Sequence, residues 1–168
     1  NSEIGNIEKY PLYIDDCNRT SLTYLLNRIR KLHATKDVKL VLVDYLQLVN
    51  ASSKKGSREQ EVSLIARSLK NISKELGITV VALSQLNRGV AMRTESRPTM
   101  ADLRESGEIE QAADIVILVY RPEYYGITES EGSNTRGLAE IIFAKGRNIG
   151  VGKVNMKFIP NLTKFIDS

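Results

Sequence analysis

Three short apolar stretches constrain the fold of this chain more than any other feature. They are residues 39–44 (KLVLVD), 78–84 (ITVVALS) and 114–120 (DIVILVY), and none alternates regularly between apolar and polar side chains. An apolar run of this length is typical of a strand covered on both faces, as in a parallel sheet between helices. We therefore expect these stretches to form strands of such a sheet.

Helical patterns separate the apolar stretches. After Thr20, a predicted N-cap, leucine and isoleucine recur at helical spacing as far as Leu32. A second helix is predicted after Ser57, because Ser57 and Gln60 match a capping box, and Gly77 suits the residue that follows its last turn. The alternation of strands and helices predicts an α/β fold with a parallel sheet.

Three parts of the chain lie outside this alternation of strands and helices. Residues 10–15 (YPLYID) predict one more strand, and residues 86–113 predict a long irregular region. Residues 137–147 and 152–160 are predicted to be neighbouring antiparallel strands around a turn that contains glycine. A length of 168 residues suits one domain with a sizeable core.

Composition excludes several classes of protein. No apolar run approaches the ~20 residues that a membrane helix needs. Cys17 is the single cysteine, so an internal disulfide is impossible and a cytoplasmic location is expected. The net charge of +4 is compatible with a polyanionic partner, but 6% aromatic residues and no Trp argue against a platform for base stacking. The first residue is not Met, as expected of a fragment or a processed chain.

Polar residues stand where two of the predicted strands end. Asp44 follows four apolar residues, and a carboxylate at a strand tip can hold Mg²⁺ beside nucleotide phosphates, as in a Walker B motif. The alternative is an aspartate that begins a turn. Ser84 and Gln85 end the next strand, where the amide could hydrogen-bond a γ-phosphate or merely enter solvent. Ligands of parallel α/β sheets bind at these carboxyl ends.

Residues 145–154 (KGRNIGVGKV) imitate a phosphate-binding P-loop without being one. Arg147 stands where the pattern needs its first glycine, and Val154 stands where it needs Ser or Thr. Lys145 and Arg147 are two apart on a predicted strand, so they should project from one face. Such a pair suits phosphate neutralisation and an arginine finger, and an exposed basic strand is the alternative.

A third candidate site is residues 102–114 (DLRESGEIEQAAD). Arg104 could neutralise a phosphate, and Gly107 would permit close approach of the backbone, whereas a capped surface turn is the alternative. His33 is the only histidine and sits at the end of a predicted helix, and paired cysteines are absent. These facts argue against a catalytic triad and a cysteine metal site.

Taken together, the motifs resemble a known family. LVLVDYLQL, REQEVSLIARSLKNISKELGITVVALSQLNR, RPTMADLRESGEIEQAADIVILVYRPEYY and IIFAKGRN occur in this order. They resemble the C-terminal motor domain of DnaB-type bacterial replicative helicases, and the resemblance covers nearly the whole chain from YPLYIDD onward. It implies a RecA-like P-loop NTPase core with a mostly parallel sheet flanked by helices, antiparallel strands at the C-terminal end, and truncation at the N-terminal side.

The resemblance also implies an activity and its partners. These are ATP hydrolysis with Mg²⁺, translocation on single-stranded DNA, unwinding during replication, assembly as a homo-hexameric ring, and contacts with a primase and a helicase loader. Residues 1–168 would then be a single partial domain, the C-terminal part of the ATPase domain. No membrane role is implied.

Residue roles follow from the same resemblance. Asp44 is the implied Mg²⁺ ligand and Gln85 the γ-phosphate sensor, while Lys145 and Arg147 match the K-x-R pair that reaches the ATP of the neighbouring subunit. The LRESG segment matches the loop that contacts DNA in the central channel. Its carried-over residues are Arg104, Glu105 and Gly107.

The sequence departs from the family pattern in three places. It has no Walker A motif, the catalytic glutamate of the family falls upstream of residue 1, and IGVG follows KGRN where the family shows a turn containing Gly-Pro. We therefore expect the chain alone neither to hydrolyse ATP nor to unwind DNA. Two other interpretations stay open: a RecA-like recombinase that forms filaments, and an ATPase-dead module for DNA binding or assembly.

Overall fold

The structure is a computed structural model that describes most of the chain. The described residues are 9–17, 20–51, 57–93, 96–130 and 132–167. For residues 88, 104–107 and 130 it describes the backbone but not the side chain.

Helix α1 spans Leu22–Lys36 and is capped at each end. The hydroxyl of Ser21 accepts a hydrogen bond from the backbone N–H of Tyr24 at 3.1 Å. The N-cap is thus one residue after the predicted Thr20. Asp37 ends the helix in the left-handed conformation, with φ of 51°, which aspartate tolerates because its short polar side chain can bond locally.

Helix α2, Arg58–Leu76, confirms the predicted start and stop signals. The Gln60 backbone N–H donates to the Ser57 hydroxyl at 3.3 Å. In return the Ser57 backbone N–H donates to the Gln60 side chain at 3.1 Å. Gly77 then takes a left-handed conformation, with φ of 63°, and donates to the carbonyl of Ser73. The capping box satisfies two backbone donors that would otherwise have no partner.

Strands β1, Leu40–Val43, and β2, Thr79–Ala82, are parallel neighbours, as predicted. Helix α2 connects them and packs its apolar stripe on the same core. The buried side chains of that core come from α1, β1, the segment after β1, α2 and the residue before β2: Leu22, Ile29, Val43, Leu46, Val49, Val62, Ile65, Leu69, Ile72 and Ile78.

The strands of the C-terminal half are β3 Ile115–Tyr120, β4 Glu129–Ser130, β5 Ser133–Asn134, β6 Leu138–Gly146, β7 Gly152–Ile159 and β8 Lys164–Asp167. Four of them form a second, antiparallel sheet with the strand order β3-β6-β7-β8. The short β4 and β5 form a hairpin of their own. The antiparallel pairing of β6 with β7 was predicted, whereas β8 was not.

The region 86–113 is irregular, as predicted, apart from one short helix. Three-ten turns cover Arg88–Met92 and Met100–Ser106. Helix α3, Gly107–Ala112, follows directly and leads into β3. Among the described residues, no helix is both long and apolar enough to cross a membrane.

The predicted strand at residues 10–15 is wrong. The structure gives residues 11–17 no regular secondary structure, and Tyr10, Leu12 and Ile14 expose 59–80% of their surface. Alternating apolar residues form a strand only when a neighbouring edge accepts their hydrogen bonds, and Pro11 removes one donor. The pattern in the sequence could not show that such an edge was missing.

Strand β3 is covered on one face rather than on both. Val116, Leu118 and Tyr120 are buried, while the residues between them are exposed. Within the described residues, β3 does not pair with β2, and an apolar groove of about 820 Å³ separates the two strands. Six of its lining residues are Ala66, Leu69, Val81, Leu83, Ile117 and Val119. We call this the β2–β3 groove.

Burial of the apolar stripe of α2 should dominate the stability of the parallel half. Ile65 has no exposed surface, whereas 39% of its neighbour Leu64 is exposed. We expect Ile65→Ala to lower the free energy of unfolding of the full-length protein by about 2–5 kcal/mol, since it removes buried methyl groups and leaves a cavity. Leu64→Ala, on the same helix, should cost within about 1 kcal/mol. Urea denaturation of both variants checks this, and equal losses would contradict the packing described here.

Candidate functional site

Asp44 lies at the exposed tip of β1, where the sequence predicted it. The peptide bond between Asp44 and Tyr45 is cis. Leu46 then donates its backbone N–H to the carbonyl of Leu83 at 2.9 Å, so the parallel pairing continues beyond β1 and β2. This pairing brings the segment after Asp44 beside the segment that contains Gln85.

Gln47 binds these two segments together, and the sequence analysis missed it. Its Nε2 donates to the Ser84 hydroxyl at 3.1 Å and to the Gln85 carbonyl at 3.3 Å. Its Oε1 accepts from the Gln85 backbone N–H at 3.3 Å. The backbone of Gln85 is therefore held by Gln47, while Gln85 itself is exposed at the carboxyl edge of the sheet. The available signal was a glutamine three residues after Asp44.

Arg58, at the start of α2, supports the turn that carries Gln47. Its Nη2 donates to the carbonyl of Gln47 and, at 3.3 Å, to that of Val49, while its Nη1 pairs with Glu61. A guanidinium can serve several acceptors at once because its donors are fixed in a plane. The start of α2 and the tip of β1 are thus one connected unit.

Lys145 and Arg147 lie at the C-terminal end of helix α3. Lys145 is on β6, and Arg147 is one residue beyond the end of that strand. Lys145 Nζ donates to the carbonyl of Glu110, and Arg147 Nη2 donates to that of Gln111 at 3.3 Å. The last four carbonyls of a helix have no partner within it, and cations are favoured there. The two side chains therefore point to the same side, as predicted, and cap α3.

Asp114 joins the same cluster. Arg147 Nη1 lies 3.3 Å from Asp114 Oδ1, Lys70 of α2 pairs with Oδ2, and the Arg147 backbone N–H donates to the Asp114 carbonyl at 2.9 Å. The hydrogen bond from Lys70 lowers the pKa of Asp114, and the charges of Lys70, Arg147 and Lys74 add to this against the effect of burial. Lys70 and Asp114 were not singled out in the sequence.

Gly146, between the two cations, meets a turn that folds back on it. A Cβ at Gly146 would lie 2.6 Å from the carbonyl oxygen of Ile149 and would also collide with the Ile149 side chain. Only glycine leaves this space. Residues 149–152 (IGVG) therefore belong to a turn that packs on Gly146, and Lys145 and Arg147 keep their places on either side of that glycine.

The loop before α3 is anchored by a buried carboxylate. Only 1% of the Asp102 side chain is exposed, and it accepts from Thr99 N at 2.7 Å and pairs with Arg93 at 2.5 Å. Burial acts to raise the pKa of Asp102, but the hydrogen bonds from Thr99 and the pairing with Arg93 outweigh it, so the pKa is lowered. The structure describes the backbone of Arg104, Glu105 and Gly107, predicted to contact DNA, but not the side chains of Arg104 and Glu105.

The geometry therefore contains two clusters. In one, Gln47 binds Gln85 at the sheet edge where Asp44 follows β1, and in the other Lys145 and Arg147 contact α3 and Asp114.

This sequence matches the DnaB-like helicase C-terminal domain family over residues 1–167. The chain belongs to this family. The motif resemblance and the complete match therefore agree.

Named relatives are replicative helicases. The chain is 44% identical over 165 residues to the replicative DNA helicase DnaC of Bacillus subtilis. It is 42% identical over 165 residues to the replicative DNA helicase DnaB of Geobacillus stearothermophilus. In each case the match covers 98% of this chain and 36% of the relative. The chain thus spans about a third of the length of these relatives.

Solved structures show the same fold. One structure, titled as an ATPase domain, superposes with a TM-score of 0.88 at 37% identity, covering 99% of this chain and 58% of that one. A structure titled as a DnaB-like replicative helicase and its interactions with primase gives a TM-score of 0.87 at 37% identity, covering 99% and 40%. The α/β fold is the RecA-like ATPase fold predicted from the sequence.

Asp102 should make the stability of this DnaB-family chain depend on pH. Because its pKa is lowered in the folded state, its contribution is complete above the ordinary value of 3.8 and disappears as the pH falls through the lowered pKa. We expect Asp102→Asn to lower the free energy of unfolding by about 1–3 kcal/mol at neutral pH, with a smaller difference from wild type under strongly acidic conditions.

Asp37→Asn is the matched control, because Asp37 pairs with Lys39 on the surface and asparagine tolerates its left-handed backbone. The hydrogen bond from Lys39 also lowers the pKa of Asp37, but solvent screens this exposed pair, so the control should change stability little at any pH. Thermal unfolding of both variants across the acidic range makes the comparison. A constant difference between Asp102→Asn and wild type would argue against a charged Asp102 anchor.

The turn after β6 gives a second prediction. Gly146→Ala should destabilise the full-length protein by about 1–3 kcal/mol, because the added methyl group collides with Ile149. Gly150→Ala, four residues later, meets nothing within 4 Å and should be neutral or slightly stabilising. Thermal midpoints of the two variants test this, and equal midpoints would mean that the turn is looser than described.

Proposed function

We propose that the full-length protein is an ATP-dependent replicative DNA helicase that translocates on single-stranded DNA and unwinds duplexes. Residues 1–168 would be a single partial domain, the C-terminal part of its ATPase domain. The observation that carries the proposal is the separation of the site into two clusters. The partners of Lys145 and Arg147 belong to α3 and to Asp114, and not to the Asp44 edge. Such an arrangement suits a nucleotide site shared by two subunits of a homo-hexameric ring.

The residues at the sheet edge fit ATP with Mg²⁺. Magnesium is usually held by one or two carboxylates, with waters and phosphate oxygens as the other ligands. One exposed carboxylate, Asp44, is therefore a sufficient contribution from this edge. MgATP, when bound, supplies the phosphoryl-transfer chemistry that drives movement along DNA. Among the described residues there is no cluster of three or more His, Cys, Asp or Glu for an all-protein metal site.

Gln85 would report the state of the nucleotide. Its exposed amide can donate to a γ-phosphate, and its backbone is held to the Asp44 segment through Gln47. Loss of the phosphate would remove that hydrogen bond. Gln47 would pass the resulting shift to the turn after β1.

Arg147 would be an arginine finger for the neighbouring subunit, with Lys145 beside it. A planar guanidinium suits the charge that develops in phosphoryl transfer, and such a finger is worth on the order of 10³–10⁵ in rate. The Arg147 side chain is half exposed, so its head can leave α3 and reach another subunit. Hydrolysis would then depend on assembly of the ring.

The β2–β3 groove would hold a strand of the same protein. The two strands that border it have facing edges that do not pair with each other, and the lining is largely apolar. A parallel strand there would complete the sheet and satisfy those backbone groups. We propose that this strand leads into the phosphate-binding loop that residues 1–168 lack. The chain alone would therefore neither hydrolyse ATP nor unwind DNA.

The DNA contacts proposed for this protein are Arg104, Glu105 and Gly107. They lie at the junction of the Met100–Ser106 turns with α3, next to the Asp102 anchor. Contacts to backbone phosphates would be independent of sequence and would weaken with salt. The net charge of +4 is consistent with this binding.

A primase and a helicase loader are the proposed protein partners. One of the similar solved structures is titled as a DnaB-like helicase with its interactions with primase. The loader is proposed from the motif resemblance. We propose a cytoplasmic location, on the support of the lone cysteine.

The test is unwinding of a tailed DNA duplex by the full-length protein, wild type beside Arg147→Ala. Unwinding and hydrolysis should fall by about 10³-fold or more in the variant while nucleotide still binds, because only the transition state loses its cation. Arg136→Ala is the control, since Arg136 is exposed in the loop after β5 and outside both clusters. It should leave unwinding intact.

Other results would select the rival functions. ATP hydrolysis with strand exchange and no unwinding by the wild type would indicate a RecA-like recombinase. Neither hydrolysis nor unwinding would indicate a module for DNA binding or assembly. Equal unwinding by wild type and Arg147→Ala would show that Arg147 is not a finger.

A further inference from the structure

Asp114 pairs with two cations, Lys70 and Arg147, whose side chains differ in how freely they can move. The Lys70 side chain is 19% exposed, and that of Arg147 is 52% exposed. Lys70 projects from the long helix α2, which is anchored in the core, whereas Arg147 lies on the turn after β6. The carboxylate therefore has one constant partner and one partner that is able to leave.

The chain itself connects Asp114 to the proposed DNA segment. Helix α3 begins at Gly107, the last residue of LRESG, and ends two residues before Asp114. Its six residues span about 9 Å as a single rigid unit. The carbonyls of Glu110 and Gln111 near its end accept from Lys145 and Arg147. A displacement at Gly107 is therefore carried to the place where Arg147 is held.

We propose that Asp114 is a positioning residue for Arg147. Through Asp114, the position of α3 and of the DNA-contacting segment before it determines where the Arg147 side chain points. The proposal rests on the proposed function. It adds that DNA binding controls whether Arg147 acts as an arginine finger. Movement of α3 on DNA binding shifts Asp114 and the two carbonyls together. Arg147 then leaves Asp114 and the carbonyl of Gln111 and extends toward the nucleotide site of the neighbouring subunit.

Lys70 lowers the free-energy cost of separating Arg147 from Asp114. Removing one partner of an ion pair is costly when a charge is left without compensation. Here Lys70 stays on Asp114 after Arg147 leaves, so the carboxylate keeps a cation. The half-exposed pair between Asp114 and Arg147 is also weak, because solvent screens it. A weak and compensated contact suits a side chain that has to move in every cycle.

The experiment compares four full-length proteins: wild type, Asp114→Asn, Asp114→Glu and Lys70→Gln. Hydrogen exchange of peptides covering residues 107–114 and 145–150 is measured with and without single-stranded DNA, in the absence of nucleotide. The ratio of ATPase rates with and without DNA is measured alongside. Asp114 is half exposed, so folding should be retained, and Asp114→Ser gives the same test if the asparagine variant does not assemble.

We expect DNA to change exchange in both peptides of the wild type. In Asp114→Asn it should change only residues 107–114, and the stimulation of ATPase by DNA should fall by roughly 5-fold or more. Asp114→Glu keeps the carboxylate and should restore much of the response. Lys70→Gln leaves the Asp114–Arg147 pair in place but removes the cation that compensates Asp114 once Arg147 has left, so it should lower the response to DNA by less than Asp114→Asn does.

Two results would overturn the inference. A response at residues 145–150 that persists in Asp114→Asn would show that another contact carries the signal. Equal losses in Asp114→Asn and Lys70→Gln would show that Asp114 merely fastens β3 to α2. Both differ from failure of the proposed function, in which the wild type itself would respond to DNA in neither measurement.

Discussion

The structure depends on burial of the apolar stripe of α2 against the parallel strands. Ile65 and Ile72 are almost completely enclosed, and this packing fixes the position of the whole 19-residue helix. Both clusters of the candidate site then contact this helix. Arg58 at its start holds the turn that carries Gln47, and Lys70 in its second half pairs with Asp114. A rigid helix thereby lies between the sheet edge that carries Asp44 and the cluster that contains Lys145 and Arg147.

The environments of Asp44, Asp102 and Asp114 differ in charge. Asp102 and Asp114 pair with cations of this chain, and this pairing, together with hydrogen bonds from Thr99 to Asp102, lowers their pKa values. Asp44 is exposed at the tip of β1 instead, where an external cation can approach it. The carboxylates with internal partners hold loops in place, whereas the exposed one remains available for a ligand. This difference gives the three aspartates separate roles.

The β2–β3 groove shows how an apolar strand can be exposed for a structural reason. Val81, Ile117 and Val119, which line it, expose roughly half of their surface although their sequence pattern is that of buried strands. Exposed apolar strand edges favour association with other chains. The strand that we propose for the groove would cover them.

The sequence by itself determined the ends of α2 and suggested candidate residues for the site. Capping signals at Ser57 and Gly77 act within one turn, so α2 could be delimited from them, and Asp44, Gln85, Lys145 and Arg147 were proposed from motif and spacing. The tertiary structure alone decided which long-range neighbours these residues have. It showed that residues 10–15 form no strand, that β3 pairs with β6, and that Asp114 and Gln47 join distant segments. Pairing depends on a second edge or partner that arrives from far along the chain, and a local pattern carries no information about it.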